Sequence, residues 1–180
     1  MRAALIAAIA TLLAFSVSCD EGDTFIQSSD CGLVRSDLLG TWNVTVPAAS
    51  TYLFNCSDPF FNDKDVIISA STTWSYDDME VFASSSNVGF FFSNSTRPEE
   101  IFGNVETDSC GMLFSFLVTA SALDPTPLYL QCIGTLDRPS GTVNAFCDSA
   151  TVLGSPLADP VTVLSDCDLS LILESVIAIQ

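Results

Sequence analysis

Thiols and carboxylates are the chemically capable side chains of this sequence, and the seven cysteines divide into six and one. Cys31, Cys56, Cys110, Cys132, Cys147 and Cys167 form an even set, as a disulfide framework requires, and none stands in the Cys-x-x-Cys spacing of a redox motif or zinc ribbon. Six cysteines allow fifteen connectivities. Two pairings look local: Cys110 and Cys132 flank a hairpin over 112–136, and Cys147 and Cys167 flank a turn region at Gly154–Pro160. Cys31 is then left to pair with Cys56. Cys19 stands apart, directly behind an apolar N-terminal stretch, with no partner among the six.

The carboxylates offer less. Asp63/Asp65, Glu106/Asp108 and Asp166/Asp168 are i, i+2 pairs, and on an extended chain each pair shares a face. Paired-carboxylate hydrolysis or oxygen-ligated calcium would need such acids. None belongs to a loop of alternating Asp or Asn with a glycine, and adjacent Asp77 and Asp78 point oppositely. Among 22 acids, pairs of this kind arise by chance. The chain has no histidine, which removes Ser-His-Asp and Cys-His nucleophilic sites and the usual zinc ligand sets. No Gly-x-Ser-x-Gly elbow or Gly-rich phosphate loop occurs. The expectation is a protein without catalysis, cofactor or bound metal.

Residues 1–18 read as a secretory leader. Arg2 is the charged start, Ala3 to Phe15 is uncharged and rich in Ala, Leu and Ile, and Ser16-Val17-Ser18 supplies small residues before a cut. The apolar run ends after about 15 residues, short of the roughly 20 that span a bilayer. Ser16-Val17-Ser18-Cys19 resembles the lipobox of bacterial lipoproteins. The resemblance implies cleavage before Cys19, acylation of its thiol, and a membrane partner held through that lipid. An ordinary signal peptidase would also cut after Ser18, leaving a secreted protein with a free or intermolecularly paired Cys19. Residues 19–30, with Asp20, Glu21 and Asp23, read as an acidic tether, and residues 31–180 as one β domain.

Removing 18 of the 180 residues leaves 162, in which 22 acids face only Arg35, Lys64, Arg97 and Arg138, a formal charge of −18. That balance excludes nucleic acid and disfavours anionic headgroups, since both need cationic side chains on the protein. It leaves a basic protein partner open, beside the plainer role of solvation and mutual repulsion. With 13 Phe and 48% hydrophobic residues the chain builds a core and is not a disordered acidic tail.

After Cys31, short runs rich in Thr, Val and Phe recur about every ten residues between turn signals such as Asp124-Pro125, Pro139-Ser140-Gly141 and Ser155-Pro156. Eleven segments qualify as strands: 41–46, 51–55, 66–70, 72–76, 80–83, 88–93, 101–106, 112–120, 128–136, 142–147 and 168–179. Trp42, Val44 and Val46 share a face, as do Leu169, Leu171, Leu173, Ile177 and Ile179. Helical periodicity is weak throughout, with a single turn at 36–39. The expected fold is all-β: a single-domain antiparallel barrel or sandwich of about 8–10 strands, stapled by disulfides.

Leu39-Gly40-Thr41-Trp42 resembles the Gly-x-Trp opening of lipocalin-like (calycin) proteins. The resemblance implies that Trp42 closes one end of an up-and-down barrel. Trp42, Phe54 and Phe90 would then line an interior that carries a small apolar ligand. A core tryptophan of any other β fold would look the same. In Phe90-Phe91-Phe92, Phe91 must face away from its neighbours. Either both faces are covered or one exposes an apolar patch, and cover on both sides is the expectation. Asn43-Val44-Thr45, Asn55-Cys56-Ser57 and Asn94-Ser95-Thr96 are glycosylation sequons that matter only in a eukaryotic secretory route. The sequence therefore points to an exported, lipid-anchored or extracellular protein with a non-catalytic binding or structural role. A lipocalin-like carrier, a secreted glycoprotein and a carboxylate hydrolase are the alternatives.

Overall fold

The computed structural model describes residues 31–68, 70, 72–83, 89–120, 126–154 and 162–180. The leader, the tether and Cys19 lie outside these residues, as do the Asp124-Pro125 and Ser155-Pro156 turns. Eleven strands follow a 3₁₀ turn at Arg35–Leu38: β1 (Trp42–Val46), β2 (Ala49–Phe54), β3 (Asp65–Ile68), β4 (Thr72–Tyr76), β5 (Met79–Ala83), β6 (Gly89–Asn94), β7 (Ile101–Glu106), β8 (Gly111–Ala120), β9 (Thr126–Asp137), β10 (Thr142–Leu153) and β11 (Val163–Ile179). Each of the eleven segments marked in the sequence is a strand. The total exceeds the expected 8–10 because all eleven marked segments form strands, none merging with its neighbour. β10 also extends past Cys147, and β11 begins five residues before Asp168.

All pairings are antiparallel. The sheet runs β3-β2-β11-β10-β9-β8-β7-β6-β5, and β1 also pairs with β11 and carries β4. The 17-residue β11 is the hub. One of its edges takes β10 along its length, while β1 occupies the 176–179 end and β2 the 168–169 end of the other. Among the described residues the sheet coils around one core but does not close, so β3, β4 and β5 are left as its open edges.

Alternation explains most of the burial. Trp42, Val44 and Val46 are all fully buried, with the polar Asn43 and Thr45 on the other face. In β11 the alternation breaks. Ser149 pairs with Asp168 while Cys147 pairs with Leu173, so β11 places three extra residues opposite β10. Leu169, Leu173 and Ile177 point inward, but this bulge turns Leu171 out to solvent beside Ile172, and the expected single apolar face is not formed.

All six body cysteines are paired, in a different connectivity from the local one expected. The bonds are Cys31–Cys110, Cys56–Cys167 and Cys132–Cys147. Register gives the reason. Cys110 lies opposite Leu136 in the β8–β9 hairpin, four residues and roughly 13 Å from Cys132, beyond disulfide reach. Cys132 instead faces Cys147 directly across β9 and β10, with Cα atoms 4.0 Å apart. Cys167 sits opposite Ala150, so Cys147 is out of its reach, and the β2–β11 pairing delivers Cys56 to it. Cys31 reaches the β7–β8 turn, where its N–H donates to the Asp108 carbonyl and its sulfur bonds Cys110.

Candidate functional site

The interior is packed with side chains. Trp42 is fully buried, 4.5 Å between ring centroids from Phe92, and its Nε1 donates to the Leu38 carbonyl at 2.8 Å. Phe114 and Phe116 stack on each other in the same core, and Trp74 lies 5.4 Å between ring centroids from Phe116. Of the three residues assigned to a ligand-lined interior, Trp42 and Phe90 do face inward. Phe54 does not: it stands on the outer face opposite Asp168 and packs edge-on against Tyr52. Both parities of β2 carry apolar residues, so alternation alone could not tell Leu53 (inward) from Phe54 (outward).

The outer face carries a feature that sequence reading assigned the other way. Phe91 is 53% exposed while Phe92 is 2% exposed, so one side of the Phe triplet is uncovered. Phe91 lies opposite Phe82 on β5 and Asn104 on β7. Asn104 faces Leu113, Leu113 faces Ile133, and Ile133 faces Phe146. Five apolar side chains, each 43–53% exposed, thus lie in register across six strands with Asn104 the one polar interruption. Glu174 of β11 ends the row. Phe102, together with Phe82, Phe91 and Leu113, walls a cleft of about 380 Å³ at one end of it. Only strand register, which sequence does not supply, aligns these residues.

A second, polar cleft of about 480 Å³ lies where β2, β9, β10 and β11 meet, and it holds the Asp166/Asp168 pair. Thr151 Oγ1 donates to Asp166 Oδ1 at 2.7 Å and receives Gln131 Nε2 at 2.6 Å. Asn55 Nδ2 donates to Asp168 Oδ2 at 2.9 Å. Each acid is thus already held by a neutral neighbour. Among the described residues no three Cys, His, Asp or Glu side chains gather as metal ligands. The other pairs remain scattered: Glu106 accepts from Ser109 in the β7–β8 turn, and Asp63 sits at positive φ in the β2–β3 connection.

A third cleft, about 410 Å³, follows the open seam between β4 and the upper half of β8. Tyr76 lies in it, and burial first, then the Glu100 carboxylate, pushes its hydroxyl well above the ordinary tyrosine pKa, partly offset by Arg97. Arg97 is paired with Glu100. The other cations of the domain are also engaged. Arg35 Nε donates to the Val81 carbonyl on the β5 edge, and Lys64 lies over the Phe60 ring. Arg138 bonds Asp37 and the Cys31 carbonyl.

The three sequon asparagines differ in access. Asn94 is buried and held at both ends of its amide: Nδ2 donates to the Asp77 carbonyl, and Oδ1 accepts from the Thr96 N–H, the Thr96 hydroxyl and the Arg97 N–H. Asn55 is exposed at the end of β2, and Asn43 is half-buried with Oδ1 accepting from Ser75. No family model, no curated protein and no solved structure matches this chain.

Proposed function

We propose that this is an exported β domain, anchored at a cell envelope through a lipid on Cys19, with a non-catalytic binding role exercised by its apolar outer row. The observation that carries this reading is the in-register exposure of Phe82, Phe91, Leu113, Ile133 and Phe146. A sheet face turned to water normally alternates apolar-in with polar-out, and contiguous apolar exposure marks a contact surface. Three disulfides fit an oxidising compartment. The absence of histidine, and two exposed Asp side chains already hydrogen-bonded by neighbours, argue against hydrolysis. Against the carrier reading, Trp42 is committed to Phe92 and Leu38. With four cations all engaged locally, no nucleic acid is expected as a partner.

The test is binding of a polarity-sensitive apolar dye to the oxidised protein and to a Phe91→Ser/Ile133→Ser double variant. Loss of most of the signal in the variant supports the row as the contact surface. An unchanged signal that fatty acid displaces would install the carrier reading instead. N-terminal mass analysis of the mature protein tests the anchor, because Cys19 without acyl mass leaves secretion alone.

A further inference from the structure

The seam between β4 and β8 has two walls made of backbone, and alternation identifies the groups that face it. Thr41 and Gln180 exchange both N–H···O bonds, at 3.1 and 3.0 Å. Antiparallel pairs alternate between bonded and non-bonded, so Asn43 and Thr45 also bond toward β11, while Trp42, Val44 and Val46 bond toward β4. Their partners Tyr76, Trp74 and Thr72 use their main-chain groups in that ladder. The N–H and C=O of Thr73 and Ser75 therefore point the other way, into the cleft, and among the described residues no strand pairs with that edge of β4.

The opposite wall follows from the same logic. β7 pairs with β8 only as far as Ile101 opposite Phe116. Leu117 N–H still reaches the Glu100 carbonyl at 2.8 Å, but Glu100 N–H turns back to the Arg97 carbonyl, so the Leu117 C=O receives nothing from it. Thr119, two residues on, presents its N–H and C=O in the same direction. The floor between the walls is apolar: Trp74, Tyr76 and Val118, of which Tyr76 and Val118 are buried.

We propose that this seam is an acceptor slot for an extended segment of a partner polypeptide, which adds a strand between β4 and β8. Unpaired donors and acceptors at strand spacing on both walls are met best by another main chain. The seam-facing edge of Thr73–Tyr76 spans about 13 Å at 3.3 Å per residue, so the bound stretch is about four residues long. Alternate residues of that stretch are apolar, against Trp74, Tyr76 and Val118. The residues between them face solvent beside a chain with 22 acids and four body cations, so the partner segment carries Lys or Arg there. The slot lies apart from the outer apolar row and does not depend on that row's role.

The probes are capped hexapeptides alternating Val or Ile with Thr and Lys, titrated calorimetrically into the oxidised protein, each beside a copy N-methylated at alternate backbone nitrogens. Binding is expected, weakened about tenfold or more by N-methylation, since two or three main-chain bonds are lost. Replacing Lys by Glu in the peptide should also weaken it. Ser75→Pro removes a slot-facing N–H that takes no part in the β1 ladder. It should cut binding by a similar factor and leave the thermal midpoint near wild type, while Ser75→Ala keeps binding. Should Ser75→Pro fail to fold, the N-methylated peptides carry the decision. Failure of the whole panel to bind overturns the proposal. So does binding indifferent to N-methylation, or binding lost in Phe91→Ser and kept in Ser75→Pro.

Discussion

The indole Nε1 of Trp42 and the carbonyl of Leu38 share a 2.8 Å hydrogen bond in full burial, which ties the 3₁₀ turn to the first strand. At the other end of that turn, Arg35 Nε donates to the Val81 carbonyl of β5. The turn is thus clamped to two strands that do not pair with each other, and covers one end of the coiled sheet. Trp42→Phe keeps most of the packing against Phe92 but leaves the Leu38 carbonyl unpaired. It should cost about 1–3 kcal/mol, and Trp42→Ala, which also opens a cavity, roughly 3–5 kcal/mol. Denaturant unfolding of the two variants checks the order, and a Trp42→Phe variant as stable as the wild type would show that the hydrogen bond contributes nothing.

The disulfides should rank by the loop each closes. Cys56–Cys167 joins residues 111 apart and Cys132–Cys147 residues 15 apart. In the chain-entropy account, loops of these sizes contribute about 4.7 and about 3 kcal/mol respectively. Replacing Cys56 and Cys167 by Ala together should therefore lower stability more than replacing Cys132 and Cys147. Peptide mapping of the unreduced protein should return the three stated pairs, and alkylation of the unreduced, unfolded chain should label none of the six.

Strand positions were legible because each run is bounded by turn residues and most alternate with period two, as Trp42, Val44 and Val46 do around Asn43 and Thr45. What depends on register was not. The pairing of Cys132 with Cys147 needs β9 and β10 aligned, and the row from Phe82 to Phe146 needs six strands aligned. The exposure of Leu171 follows from three extra residues in β11, a break that no local pattern announces. Phe54 was misplaced because Leu53 and Phe54 are equally apolar, so hydropathy could not decide which parity faces in. The open seam depends on where β7 stops pairing with β8.

Phe91 and Phe92 are sequence neighbours with opposite surroundings, and their substitutions should separate stability from binding. Phe92 packs on Trp42 in the core, so Phe92→Ala should cost roughly 3–5 kcal/mol. Phe91 is half exposed, and Phe91→Ser should stay within about 0.5 kcal/mol of wild type while reducing apolar dye binding. A large loss of stability in Phe91→Ser would mean that the outer row packs against something within the domain.

Tyr76 sets an alkaline limit on the fold. Burial, reinforced by Glu100, keeps its hydroxyl protonated in the folded state well above the ordinary tyrosine value of about 10. The folded state then holds a proton that the unfolded state releases, so stability is unaffected below about pH 10 and falls as the pH rises above it. Tyr76→Phe removes that proton difference. Its unfolding free energy should decline less steeply between about pH 10 and 12 than that of the wild type. Parallel curves would place the alkaline sensitivity elsewhere.

The remaining prediction concerns the acids as a set. The formal charge of the whole chain is −17, and the ion pairs of the described residues are Arg97–Glu100 and Arg138–Asp37. Most carboxylates therefore repel one another across the surface, and monovalent salt screens that repulsion over a Debye length of about 10 Å at 0.1 M. The thermal midpoint should rise smoothly with sodium chloride and level off toward about 1 M, where the screening length falls to about 3 Å. Acid-to-amide changes far from the polar cleft, such as Glu80→Gln, should flatten the salt curve slightly. Asp166→Asn should do no more than that, since its partner Thr151 can donate to an amide oxygen as well. A midpoint that jumps with micromolar calcium, is indifferent to sodium chloride and loses the jump in Asp166→Asn would turn the polar cleft from a solvated face into a cation site.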